Sequence, residues 1–245
     1  MYKRQTDYTR ETIKKLNRLG IEFIIATGRG EASAIRFKNQ LGIDTHIICN
    51  NGANIYDKDE NMIFEKVISK EVTYELLKLL REEKVNYNCF FHEDFYRDEY
   101  DKTDYSRRTG FVEHVLVDLK DCSKLNKIII VDEEEVILNL SKKLKDNFSH
   151  LVEITISDPT CVDIAPKGCS KGNALEILAE TLDFNMNKII AFGDAENDLD
   201  MLKKVGHPVV MENAQFIVKE SIDNRAGKNS EDGVAKYLEN FFQLK

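Results

Sequence analysis

The stretch Lys188–Asp198, KIIAFGDAEND, joins an apolar run directly to a cluster of acids. The apolar part predicts a strand buried on both faces, because its side chains do not alternate with polar ones. Asp194 and Asp198 follow, with Glu196 and Asn197 between them. Carboxylates this close repel one another unless a positive charge lies among them, and Mg²⁺ prefers such oxygen ligands. The stretch predicts a metal site at a strand end; the alternative is an acidic turn that caps the next helix.

A second apolar run, Ile21–Ala26 (IEFIIA), ends in Thr27, Gly28 and Arg29. A ligand at the carboxyl end of a parallel strand meets loop amides and a helix N-terminus, which together favour an anion. Thr27 adds a hydroxyl donor, Gly28 permits close backbone approach, and Arg29 offers a charged fork or solvates the loop rim. This pattern predicts a phosphate site, and its alternative is a tight turn with an N-capping threonine.

Lys171 opens a predicted helix that Ser170 can cap and that runs to Leu182. A lysine at a helix start is mildly unfavourable for the macrodipole. That misfit favours a functional role, a point charge aimed at phosphate. The alternative is a solvated surface lysine.

The pattern of the sequence changes near residues 57 and 165. Outside these positions helices alternate with apolar strands, which predicts an α/β fold with a parallel sheet. Between them, strands such as Leu151–Ser157 (LVEITIS) alternate apolar and polar residues, which predicts an α+β domain with one open sheet face. The predicted core comprises residues 1–56 and 166–245, and the inserted domain comprises residues 57–165.

Composition narrows the class of protein. The 245 residues suffice for one large or two smaller domains, and no apolar run is long enough to span a bilayer. The net charge of -8 argues against a nucleic-acid partner, and the N-terminus shows no signal peptide. Five cysteines without a C-x-x-C pair argue against a disulfide framework or a zinc site. Together these features predict a cytoplasmic protein.

The motifs in combination resemble those of the Cof-type phosphatases of the haloacid dehalogenase superfamily, whose cap is of class C2B. The resemblance implies a Rossmann-like core and a mobile cap that selects the leaving group. It also implies Mg²⁺-dependent hydrolysis of sugar phosphates or other small phosphorylated metabolites through a phospho-aspartate. The matching segments are Ala26–Arg29 (ATGR), Asn51–Ala53 (NGA), Val162–Leu175 (VDIAPKGCSKGNAL), Phe192–Asp198 (FGDAEND), Asn213-Ala214 and Ser230–Val234 (SEDGV).

The resemblance also implies roles for individual residues. Lys171 is catalytic, because it neutralises the phosphoryl group and the nucleophile. Asp194 ligates Mg²⁺, with Asp198 supporting the site from close by. The residues implied to bind the phosphate are Thr27, Gly28, Arg29, Lys171 and Asn197.

One family feature is not found. The family begins with an apolar strand ending in D-x-D-G-T, where the first Asp is the nucleophile and the second is the general acid/base. No such motif occurs in the 245 residues, and the early acids Asp7 and Glu11 do not follow an apolar strand. We therefore expect the chain to start after the nucleophile segment, with Met1–Gln5 foreign to the family, and to lack activity as written.

Three interpretations follow from this departure. The chain is a fragment of a phosphatase, a pseudo-enzyme that binds phosphorylated ligands, or an interaction module with a vestigial site. A D-x-D-G-T motif in the upstream DNA would select the first, ligand binding without turnover the second, and an exposed apolar cap face without ligand binding the third.

The expected partner is a small phosphorylated metabolite, without nucleic acid or membrane, and the expected state is a monomer or weak homodimer. Tyr87, Phe90, His92 and Arg107 are candidates for the cap side of the site, and positions in the core or on the surface are the favoured alternative for most of them. If a nucleophile strand is missing, the strands at Ile21–Ala26 and Lys188–Phe192 should not pair with each other. Direct pairing of the two is the alternative.

Overall fold

The computed structural model describes residues 5–101, 111–122 and 124–244. Among these residues no helix combines the length and apolar character needed to cross a bilayer. The helices are α1 (Asp7–Arg18), α2 (Glu31–Leu41), α3 (Lys70–Glu82), α4 (Glu134–Phe148), α5 (Lys171–Leu182), α6 (Leu199–Lys204), α7 (Phe216–Ser221) and α8 (Gly233–Phe241). The strands are β1 (Ile24–Ala26), β2 (His46–Cys49), β3 (Asn54–Tyr56), β4 (Met62–Glu65), β5 (Tyr87–Phe91), β6 (Asp94–Asp98), β7 (Val112–Leu116), β8 (Lys127–Val131), β9 (Val152–Asp158), β10 (Cys161–Pro166), β11 (Ile190–Gly193), β12 (His207–Met211) and β13 (Arg225–Ala226).

The core domain contains two sheets. In the first, with order β1-β2-β3-β4, β1 runs parallel to β2 and the remaining pairs are antiparallel. In the second, with order β11-β12-β13, all pairs are parallel. Leu175 and Leu178 of α5 pack against Ile48 of the first sheet and Ala191 of the second, in a single apolar cluster. The two sheets therefore share one core, and the predicted α/β class is confirmed.

No ladder joins β1 to β11 among the described residues, since each ends its own sheet. The alternative, in which β1 and β11 pair directly, is therefore wrong. β1 was predicted to be buried on both faces, but all three of its residues are only half-buried, whereas β2 is fully buried. The position of β1 at a sheet edge accounts for this difference. That a nucleophile strand belongs between β1 and β11 stays a prediction.

Helix α1 packs against α2 and α8 on one side of the core. Thr6 caps its first turn, and the hydroxyls of Thr6 and Thr9 donate to Asp232, which precedes α8. Further along, Thr12 donates to Glu239 of α8 at 3.0 Å. Gln5 and Thr6 lead into this helix and form no strand. Residues 1–4 lie outside the described part of the chain.

The inserted domain is a sheet of order β7-β6-β5-β8-β10-β9 with α3 and α4 on one face. It corresponds to the predicted cap and is called the cap below. Val152 and Ile154 of β9 are buried under these helices, as the period-two pattern of Leu151–Ser157 predicted, and Ile128 and Val162 are buried beside them. β6 and β10 were not predicted as strands. The opposite sheet face carries polar side chains and approaches the core loops, where Lys127 of β8 contacts Gly28.

The predicted boundary near residue 57 needs revision. β4 was assigned to the inserted domain, but it pairs with β3 across the turn at Asp57–Asn61, so this hairpin extends the first core sheet. We therefore place the start of the inserted domain after Glu65. At the other end, β10 stays in the cap sheet up to Pro166, close to the predicted boundary at residue 165.

Candidate active site

The loops after β1 and β2 hold each other at one end of the first sheet. The Asn51 N–H donates to Thr27 O at 3.1 Å, and the Asn50 N–H donates to Arg29 O at 2.9 Å. Gly52 has φ +95°, and a Cβ there would lie 2.2 Å from Ser170 O. Only glycine permits this close approach. The loops are thereby packed against the start of α5.

Lys171 is buried at the start of α5, with 7% of its surface exposed. Ser170 caps the helix by accepting from the Asn173 N–H. The Lys171 ammonium lies 2.6 Å from Asp198 Oδ1 and 3.3 Å from Asn197 Oδ1. The alternative of a solvated surface lysine is thus wrong. The Lys171 ammonium lies between the start of α5 and the loop after β11.

Asp198 uses both carboxylate oxygens within the protein. Oδ1 accepts from Lys171, and Oδ2 accepts from the backbone N–H groups of Asp194 and Ala195, at 2.9 and 3.1 Å. These bonds fold the Asp194 loop around Asp198, which is 5% exposed. In the structure Asp198 therefore shapes the Asp194 loop, and its support of a metal stays a prediction.

Asp194 has the carboxylate that is best placed for a cation. Its Oδ2 accepts from Asn213 Nδ2 at 3.2 Å, and its Oδ1 has no hydrogen-bond partner among the described residues. Within those residues, no group of three or more His, Cys, Asp or Glu side chains could enclose a metal ion. This donor set fits Mg²⁺, which usually takes one or two carboxylates and completes its shell with waters and substrate phosphate.

Asn197 links the two loop systems. Its Nδ2 donates to Asn51 Oδ1 at 3.0 Å, while its Oδ1 faces Lys171. Through this bond, the network runs without interruption from the loop after β1 to the loop after β11. The structure therefore brings Thr27, Gly28, Lys171, Asp194, Asn197 and Asp198 into one contiguous site.

Arg29 lies apart from this network. Its guanidinium stacks over the ring of Phe37 of α2, 5.2 Å from the ring centroid. This contact packs the loop rim on the helix. A contact between Arg29 and phosphate stays a prediction.

The proposed cap residues divide into different environments. Tyr87 is buried and donates to Asp98, and burial raises its pKa, so it belongs to the cap interior. The ring of Phe90 packs against those of Phe95 and Phe111. His92 lies at the junction of cap and core, with Nε2 3.0 Å from Glu65 of β4. Arg107 lies outside the described residues.

A cavity of about 300 Å³ opens where cap strands β9 and β10 meet the start of α5. Asn51 and Asn197 line it beside the carboxylates of Glu153 and Glu196. Cys169 also lines the cavity, but burial raises its pKa to about 11. The thiol is therefore protonated at neutral pH and is not a ready nucleophile.

Sequence reasoning gave no role to three residues that structure the site. Asn51 stood in a segment that matches the family but was given no role of its own, and neither Lys127 nor Asp163 was singled out. Lys127 opens the apolar run KIII, and Asp163 interrupts the apolar strand CVDIA. A charged residue inside such a strand is a usable signal, because buried charges are almost always paired.

A family model described as haloacid dehalogenase-like hydrolase matches residues 2–238. The chain belongs to this family. It is 30% identical to the Bacillus subtilis 5-amino-6-(5-phospho-D-ribitylamino)uracil phosphatase, over 95% of this chain and 87% of that protein. It is 28% identical to the Serratia proteamaculans HMP-PP phosphatase, over 96% of this chain and 88% of that protein. A crystal structure from Thermotoga maritima matches with a TM-score of 0.78 and 29% identity, covering 96% of this chain and 90% of that one.

Family membership agrees with the Cof-type motifs and with their order along the chain. In this haloacid dehalogenase-like chain, the motifs after β1, β2 and β11 meet at the start of α5, where Lys171 lies. The motif Ser230–Val234 lies elsewhere, beside α1, where Asp232 accepts from Thr6 and Thr9. The site combines the buried Lys171 ammonium, the Thr27 hydroxyl, the Gly28 N–H and the Asp194 carboxylate. Such a set can bind a phosphoryl group through a divalent cation and fixed hydrogen-bond donors.

Proposed function

We propose that this chain carries the phosphate-binding and Mg²⁺-binding machinery of a phosphomonoester hydrolase for sugar phosphates or other small phosphorylated metabolites. The observation that carries the proposal is the buried Lys171 ammonium, held by Asp198 and Asn197 between the loops after β1 and β11. A buried lysine at a helix start is unfavourable unless it meets an anion. Asp198 supplies one anion in the structure, and a phosphoryl oxygen supplies a second in the ligand complex.

The phosphoryl group is held by donors of the loop after β1. The Gly28 N–H has no acceptor among the described residues, and Thr27 Oγ1 accepts from the Arg29 N–H, so that its proton is left to donate. Lys171 neutralises charge on the phosphoryl oxygens. The second N–H of Asn197 Nδ2 can reach another of these oxygens.

Asp194 would hold Mg²⁺, and Asp198 would fix the backbone of the Asp194 loop. The metal supplies charge neutralisation for the phosphoryl group. Phosphate would supply further oxygen ligands to the metal, so metal and phosphate are expected to bind cooperatively. The Bacillus subtilis relative, named for a phosphorylated ribityl compound, supports a small phosphorylated metabolite as the substrate class.

A second candidate is phospho-ligand binding without turnover. For a polypeptide of these 245 residues alone it is favoured because they contain no D-x-D-G-T motif, whose first aspartate the covalent step of the family needs. Both candidates require the same anion site. They differ only in whether phosphate release follows ligand binding.

The site can be tested through its metal. Mg²⁺ is expected to tighten the binding of inorganic phosphate, measured by titration calorimetry with and without the metal. Asp194→Asn should remove most of this enhancement, since changes around a metal commonly cost about 10–100-fold in affinity. Asp200→Asn is the matched control, because the Asp200 carboxylate is engaged by Ser170 and Lys204. Full enhancement in the Asp194 variant would contradict the assignment.

A further inference from the structure

A buried ion pair lies on the cap face that approaches the core. Lys127 Nζ is 2.8 Å from Asp163 Oδ1, and both side chains are only 4% exposed. They lie on neighbouring strands, since Asp163 of β10 is opposite Ile129 of β8. Such pairs are often no more stabilising than apolar side chains of similar volume. Stability alone therefore does not explain why Lys127 and Asp163 are paired here. Their contacts with the core loops indicate a role.

Lys127 fixes one peptide of the predicted phosphate loop. Its ammonium donates to Gly28 O at 2.7 Å, which orients the peptide between Gly28 and Arg29. The N–H of that peptide donates to Thr27 Oγ1 at 3.1 Å. Because the hydroxyl oxygen already accepts this bond, its proton is left to donate to a different group. The direction of the Thr27 hydroxyl thus depends on a cap residue.

Asp163 fixes the other half of the site. Its Oδ2 accepts from Asn51 Nδ2 at 3.0 Å, which sets the orientation of the Asn51 amide. Asn51 Oδ1 must then accept, and it does so from Asn197 Nδ2 at 3.0 Å. Asn197 Oδ1 is consequently turned towards Lys171. One carboxylate in the cap therefore sets the direction of two amides in the core.

We propose that Lys127 and Asp163 are positioning residues, which direct the hydroxyl of Thr27 and the amide of Asn197 for phosphate binding. This inference rests on the proposed function of the anion site. Asp163 neutralises Lys127, so the pair acts through orientation and not as an additional positive charge. Since both residues belong to the cap, the anion site is fully oriented only while the cap contacts the core.

The test replaces both charges, so that neither is left buried alone. Lys127→Met with Asp163→Leu is expected to weaken the binding of inorganic phosphate in Mg²⁺ by about 10–100-fold, the effect of losing a hydrogen bond to a charged group. Lys38→Met is the matched control. Lys38 is also buried, and its ammonium donates to Lys58 O and Glu60, distant from the site. Phosphate affinity within about twofold of the unmodified chain would overturn the proposal.

A double-mutant cycle separates positioning from a merely structural role. If the pair acts partly through Thr27, its replacement and Thr27→Val should together weaken phosphate binding by less than the product of the separate effects. Fully independent effects, within about twofold of that product, would overturn the route through Thr27. Should the Met/Leu variant fail to fold, Lys127→Gln with Asp163→Asn keeps a neutral polar pair, and the shortened side chain at position 127 loses its bond to Gly28 O. A weaker phosphate affinity is expected, and an affinity within about twofold of the unmodified chain would overturn the proposal.

Amide NMR signals distinguish this inference from the proposed function. Without any ligand, the backbone signals of Gly28 and Arg29 should move in the paired variant and stay in place in the Lys38 variant. Unchanged signals would overturn the positioning role. If the unmodified chain binds no phosphate, the anion site is wrong, and the signals still decide whether the cap pair orients the loop.

Discussion

A polypeptide of these 245 residues is expected to hydrolyse p-nitrophenyl phosphate with Mg²⁺ no faster than a protein-free control. The same polypeptide, extended before Thr6 by an apolar strand that ends in D-x-D-G-T, is expected to react at least about 10³-fold faster, since a general acid alone contributes about 10²–10⁴-fold. The reason is chemical. We propose that Thr27 and Lys171 bind the phosphoryl group and that Asp194 binds Mg²⁺, so none of the three is free to be the nucleophilic carboxylate that the family mechanism requires.

We expect the added strand to pair between the two core sheets. β1 and β11 end their respective sheets, and both lead into loops of the Lys171 network. A parallel strand that pairs with both edges would deliver its carboxyl end to Lys171. The control is the same extension with both aspartates changed to asparagine, which should pair equally and stay inactive. Turnover by the unextended chain that disappears with Asp194→Asn would contradict this prediction and indicate water attack on metal-bound phosphate.

Lys171→Met is expected to abolish measurable binding of inorganic phosphate and to lower the free energy of unfolding by about 3–5 kcal/mol, because it leaves the buried Asp198 without its counter-charge. Calorimetric titration measures the first effect and urea unfolding the second. Adding Asp198→Asn should restore part of the stability without restoring phosphate binding. The separation of the two effects distinguishes a ligand-binding lysine from a structural one.

Lys38→Met serves as the control here also. Lys38 is buried to a similar degree, but its partner Glu60 is well exposed and can be hydrated once the lysine is gone. The control should therefore lose less stability and keep its phosphate affinity. Phosphate binding by the Lys171 variant at the level of the unmodified chain would rule out Lys171 as the phosphate-binding cation.

The cap shows where sequence patterns were insufficient. The pattern LVEITIS predicted β9, but β10 was not predicted, although Val162 and Ile164 alternate correctly with Asp163. The alternation covers only these three residues before Ala165 and Pro166 interrupt it, so the pairing of β10 with β8 and β9 is what shows the strand. β4 was assigned to the wrong domain for a different reason. Only its pairing with β3 shows to which sheet it belongs.

The sequence by itself determined which residues stand at the ends of the apolar strands, and hence the kind of chemistry. Thr27 after β1 and Asp194 after β11 follow from local pattern, because the strand period and the turn residues are properties of neighbouring positions. Only the tertiary structure decided which hydrogen-bond partner each polar side chain has. Asp198 bonds Lys171, 27 positions away, and Asn51 bonds Asp163, 112 positions away. Such partners depend on strand register and on the placement of the cap, which no local pattern records.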